Sequence, residues 1–173
     1  MKSVTLALAA AMSVWVMQST NVSAEGFAAG RYARSNAAGG VTAGGGGVIR
    51  GANGGGFRQR AFATDGSGSG MGASRGAIRT QSGAAARGGA TTHSAEGTTS
   101  HASGAAGAGE RGSFASGGSG TFNRDTGLDA SRSTNATSSS GATYAGDTSY
   151  TKDAGMTHTS TCKDASGAEV ACR

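Results

Sequence analysis

The chain of 173 residues carries 15 Lys and Arg against 10 Asp and Glu, a formal net charge of +5, with 33 glycines and no proline. The missing proline excludes polyproline and collagen-like structure, and the glycines do not recur at every third position. After position 24 the large apolar types Val, Ile, Leu, Met, Phe, Tyr and Trp are too sparse to fill a conventional globular core, and Leu128 is the single leucine.

Lys2 precedes a largely apolar run, Val4 to Met17, and a polar stretch ending in Val22-Ser23-Ala24. This order of charge, apolar run and small residues is that of a secretory signal peptide cleaved between Ala24 and Glu25. As a helix the run spans about 21 Å, short of the roughly 30 Å hydrocarbon core, so a signal helix is expected rather than a membrane anchor. Nothing after Ala24 is apolar enough to span a bilayer. Export to the periplasm or the extracellular space follows.

Residues 25–120 read as a Gly/Ala/Ser-rich, basic, flexible region. Between Gly39 and Gly120 glycine fills nearly every third place on average, and each one adds to the backbone entropy lost on ordering. Arg31, Arg34, Arg50, Arg58, Arg60, Arg75, Arg79 and Arg87 face only Glu25 and Asp65 in sequence, which suits contact with anionic surface polymers or lipid headgroups. The plainer alternative is that spaced arginines keep a glycine-rich chain soluble. Turn signals at Asn53-Gly54, Asp65-Gly66, Glu96-Gly97, Thr126-Gly127, Ser140-Gly141, Ala154-Gly155 and Ser166-Gly167 are separated by roughly strand-length stretches, as in a β-meander or solenoid. Their period reads as uneven. A mostly disordered low-complexity chain is therefore the expectation for this part.

Residues 121–173 are poorer in glycine and rich in Ser and Thr, and form the β-prone tail. Tyr144, Thr148 and Tyr150 share one face of a strand; beyond a turn at Lys152 to Gly155, Met156, His158, Ser160 and Cys162 share a face with Thr157, Thr159 and Thr161 opposite. The three threonines make a candidate hydroxyl face of the kind that binds carbohydrate or ice. A short final strand runs from Ala168 to Cys172, giving a small all-β antiparallel hairpin or meander. Cys162 and Cys172 are the only cysteines, and export makes a disulfide between them the expectation. A tight turn over residues 164–167 would hold the two cysteines about 10 Å apart, beyond the roughly 7 Å limit, so the disulfide calls for a wider loop.

Candidate chemistry is sparse. His93, His101 and His158 lack partners at metal-ligand spacing. Asn123, Asp125 and Asp129 surround Gly127 loosely in the manner of a calcium loop, but Ser133 stands where a bidentate Glu is needed, and an Asx turn is the simpler reading. Arg-Gly pairs such as Arg50-Gly51 are reminiscent of RNA-binding segments, yet export removes cellular nucleic acid as a partner. No nucleotide loop or nucleophile elbow occurs, so no catalytic residue, metal or cofactor is expected and the chain reads as non-enzymatic. The run from Thr143 to Tyr150, with Thr157 to Cys162, Asp164 to Gly167 and Cys172, resembles the end of small exported Gly/Ser/Thr-rich proteins of Gram-negative bacteria. That resemblance is confined to the stretch between Thr143 and Cys172. It implies a bacterial exported protein acting in the periplasm or at the cell surface, with no catalytic role attached.

Overall fold

Asn36, Asp65, Ser94 and Asn123 each carry a side-chain acceptor and stand at equal intervals along the chain, and Lys152 continues the spacing. In a computed structural model, which describes residues 25–172, these positions open the turns along one margin of a single antiparallel sheet. The strands are β1 Gly26–Ser35, β2 Val41–Gly51, β3 Gly54–Thr64, β4 Gly70–Thr80, β5 Gly83–His93, β6 Thr99–Gly109, β7 Gly112–Asn123, β8 Gly127–Ser138, β9 Thr143–Thr151, β10 Gly155–Lys163 and β11 Glu169–Val170. Each pairs only with its neighbours in sequence, in the order β1 to β11, so the sheet is a meander one layer thick.

The turns explain the order. Asn36 Oδ1 accepts the N–H groups of Ala38 and Gly40 at 3.1 and 3.0 Å, while the Asn36 N–H donates to the Gly40 carbonyl at 2.9 Å. Asp65, Ser94, Ser138 and Asp164 each accept the N–H four residues on in the same way. The fourth residue of each turn, Gly39, Gly68, Gly97, Gly141 or Gly167, has a positive φ that a side chain would strain. The opposite margin holds the turns at Ser138 and Asp164 together with the two-residue turns Ala52-Asn53, Gln81-Ser82 and Glu110-Arg111. Neighbouring turns also bond to one another: Gln81 Nε2 donates to Asn53 Oδ1 at 3.3 Å, and the Glu110 N–H to the Ser82 carbonyl at 3.0 Å.

This architecture overturns the expectation of a mostly disordered chain with order confined to the tail. The sheet runs from Gly26 to Val170, and Gly120, where the composition changes, lies inside β7. Glycine-rich segments order here because a meander asks little of side chains. Every strand from β2 to β10 has a hydrogen-bonded neighbour on both sides, and a hydrogen bond contributes about 1 kcal/mol net. Several glycines also seat aromatic rings. A Cβ on Gly44 would lie 2.8 Å from Tyr32 Cε1, and one on Gly107 would lie 2.7 Å from Phe114 Cε1. Ring over glycine is a known device for stabilising a strand that lacks its own side chain. The uneven period is corrected as well. Gly39, Gly68 and Gly97 mark one margin, Gly54, Gly83, Gly112 and Gly141 the other, and both series advance by one and the same interval per hairpin.

Two further readings are settled by geometry. The hairpin and the disulfide coexist, because the turn runs over Asp164 to Ala168 and sets Cys162 opposite Val170 rather than Glu169. The chain leaves the strand after Val170, and Cys172 forms the disulfide with Cys162 at a Cα separation of 5.3 Å. The signal helix and its cleavage site at Ala24 fall on or at the border of residues 1–24, outside the described residues, among which there is no helix.

A core in the usual sense is absent. Among the described residues the one buried hydrophobic side chain is Ala43, and every large apolar residue except Tyr144 is exposed. Both faces of the sheet are left open.

Candidate functional site

Side chains alternate along a strand and directly opposed residues share a face, so the pairing register assigns every strand residue to one of two faces. We call the face that carries Phe27 the first and the face that carries Tyr32 the second.

On the first face the register links Phe27, Ile49, Gly56, Ile78, Ala85, Gly107, Phe114, Ala136, Tyr144, Cys162 and Val170 in one row across all eleven strands. Every member is apolar or glycine. Ile78 and Phe114 stand on either side of the small pair Ala85 and Gly107, and this part of the row forms an open groove of about 740 Å³. Towards the other margin the next two rows contain Arg31, Arg58, Arg60, Arg87 and Arg132 among Gly, Ala, Ser and Thr, with His158 at the end. Beyond them lie Phe62, Tyr150, Met156, Phe122 and Leu128, all exposed. Among the described strand residues no Asp or Glu falls on this face.

The second face differs in kind. Its N-terminal strands carry Arg34, Arg50, Arg75 and Arg79, and Arg75 Nε donates to Gln59 Oε1 at 2.8 Å. From β7 to β10 it becomes a field of hydroxyls. Ser119, Ser131, Ser149 and Thr157 form one cross-strand row, Ser133, Asp147 and Thr159 the next, and Asn135, Ala145 and Thr161 a third. Ser149 Oγ and Thr157 Oγ1 are hydrogen-bonded at 2.7 Å. The three threonines singled out in the sequence therefore form the edge of a larger array. Three carboxylates, Asp129, Asp147 and Glu169, share this face.

The arginines expected to act together on anions are divided by the pleat. Arg31, Arg58, Arg60 and Arg87 lie on the first face and Arg34, Arg50, Arg75 and Arg79 on the second. Arg132, outside the basic half of the sequence and absent from that expectation, joins the first group. Its signal was the alternation within β8.

The loosely calcium-like residues are not brought together. Asn123 Oδ1 accepts the Asp125 N–H at 2.8 Å and its amide donates to Thr98 Oγ1 at 2.8 Å, which is an Asx turn tied to the neighbouring turn. Asp129 lies along β8, opposite Thr121 and Thr151. Each histidine Nδ1 pairs with the threonine directly across: His101 with Thr91, His93 with Thr99 and His158 with Thr148, all at 2.8 Å. Among the described residues no group of three or more His, Cys, Asp or Glu is placed to hold a metal ion. Asp65 and Asp164 have carboxyls held below the usual carboxylate value, first by the hydroxyls of Ser67 and Ser166 within their turns.

No family model, curated protein or solved structure matches the chain.

Proposed function

We propose that the mature chain is a non-enzymatic exported interaction protein of the periplasm or cell surface, which binds extended ligands across the flat faces of its sheet. The observation that carries this reading is the chemistry of the first face: exposed apolar rows and five arginines continuous over the sheet, with no Asp or Glu among its described strand residues. Five like charges raise the local concentration of an anionic partner, and the exposed apolar side chains gain by being covered. The test is co-sedimentation of residues 25–173 with isolated cell envelopes, acidic polysaccharide and anionic vesicles at physiological salt. The reading predicts retention by at least one of them, and retention by none would refute it.

A second reading rests on the second face. The hydroxyl field spans β7 to β10 with strand spacing of about 4.8 Å, a regular array suited to carbohydrate or ice. Thr157→Val with Thr159→Val keeps the β-branched shape and deletes two hydroxyls. Binding to neutral polysaccharide, or inhibition of ice growth, should fall in this variant. Equal activity in variant and parent would remove the reading.

A further inference from the structure

The first face combines three features that a single partner has to satisfy: a long apolar row, a cationic band beside it, and strands that bring no acid to it. The row crosses eleven strands, about 48 Å at strand spacing. A second copy packed face to face would cover the apolar row but bring Arg31, Arg58, Arg60, Arg87 and Arg132 near the same five residues, with no carboxylate from the described strand residues to offset them. A soluble acidic polysaccharide would pair with the arginines and leave Ile49, Ile78 and Val170 uncovered. An anionic bilayer surface meets both demands, with phosphates at the depth of the guanidiniums and acyl chains below them.

We propose that the first face lies flat on an anionic lipid surface, with the arginine band on lipid phosphates and the apolar row in the interfacial region of the bilayer. This inference rests on the interaction reading given above and names its partner. The open groove between Ile78 and Phe114, floored by Ala85 and Gly107 and bordered at the sheet margin by Glu110 and Arg111, offers an acyl chain a place in the row next to the arginine band. Arginine suits the role because its planar fork holds a phosphate through two hydrogen bonds. The second face, with Asp129, Asp147 and the hydroxyl field, is left directed away from the lipid.

The test compares two triple variants of residues 25–173 with the same change in net charge. Arg58→Gln, Arg60→Gln and Arg87→Gln remove charge from the first face; Arg34→Gln, Arg50→Gln and Arg79→Gln remove it from the second. Binding is read by flotation with phosphatidylcholine vesicles with and without phosphatidylglycerol, and folding of each variant by circular dichroism. The parent should bind only the phosphatidylglycerol vesicles. The first-face variant should lose roughly a hundredfold in affinity and the second-face variant only a few-fold. Arg58→Lys with Arg60→Lys and Arg87→Lys should retain most of the binding, and Ile78→Thr should weaken it at unchanged charge. Equal losses from the two faces would overturn the proposal in favour of bulk charge attraction. Binding to soluble acidic polysaccharide but not to vesicles would overturn it while leaving the interaction reading intact. A stable dimer in sedimentation, with the first face protected and no vesicle binding, would replace lipid by a second copy.

Discussion

Gly112 and Gly117 both lie in β7, and the fold assigns them opposite responses to the same substitution. Gly112 opens the strand with a φ of +128°, and an added Cβ would run into the Thr137 carbonyl oxygen of β8, with Ser138 Cα 2.8 Å away. Gly117 is an ordinary strand residue whose Cβ would meet Ser103 O at 3.8 Å, a normal contact. Gly112→Ala therefore incurs backbone strain of about 1–3 kcal/mol. It also disturbs the end of the β7–β8 ladder and the bond from the Ser139 N–H to the Arg111 carbonyl, about 1 kcal/mol each. The expected loss is about 3–5 kcal/mol. Gly117→Ala should instead gain about 0.4–1 kcal/mol by restricting the unfolded chain. Native-state amide exchange reads both, since about 2 kcal/mol is roughly thirtyfold in rate. Because strands contact only their neighbours, the loss in Gly112→Ala should centre on β6 to β8 and leave β2 to β4 unchanged. Equal exchange in the two variants, or acceleration spread evenly over the chain, would refute the assigned backbone geometry.

Cys172→Ser should free β11 and the Asp164 turn, removing about 3 kcal/mol of loop-closure stabilisation there while β1 to β9 keep their exchange rates; the readout is the Val170 and Asp164 amides with and without reductant. Asn36→Ala deletes the acceptor for Gly40 and Ala38 and the donor to Thr64 O, and should cost about 1–2 kcal/mol, read as faster exchange at the β1–β2 turn with the Asp164 turn unaffected. Asp65 and Asp164 are held below the usual carboxylate value, so their contribution is complete above the unfolded-state value and is lost as pH falls through the lower folded one. Carboxyl chemical shifts followed with pH should give both a midpoint below the ordinary carboxylate value, and Ser67→Ala should move the Asp65 midpoint back up; no movement would count against the hydroxyl as the main cause.

Much of this sheet is written in residues that a composition-led reading discounts. The alternation put Tyr144, Thr148 and Tyr150 together on one strand, and Met156, His158, Ser160 and Cys162 together on the next with Thr157, Thr159 and Thr161 opposite; β9 and β10 have those alternations, and their register joins the first two sets on one face. Alternation works there because Tyr, Thr and Met differ visibly in polarity. It fails to the eye between Gly83 and Gly109, where both faces are mostly Gly, Ala, Ser and Thr and only the turns betray the strands. Those turns were legible: Gly54, Gly83, Gly112 and Gly141 follow one another at a constant interval, and Gly39, Gly68 and Gly97 keep the same one. With Gly39, Gly68, Gly83 and Gly112 left out of the series, the period looks irregular and disorder becomes the default. Weighing ordering entropy against side-chain burial alone misleads in the same direction, since the ladder and turn bonds carry this fold. Of the candidate site, the arginines were legible as a group but their division between faces was not. That division depends on strand register, which hinges on two-, three- and five-residue turns.

Residues 41–123 form the strands and turns of one continuous sheet. Amide hydrogen exchange of residues 25–173, resolved by residue, tests it most directly. The sheet predicts slow exchange at the paired amides of β2 to β10 alike, with no step at Gly120, and faster exchange at the five-residue turns and on the open side of β1. Exchange at unprotected rates through residues 41–123, with protection only in β9 and β10, would contradict it.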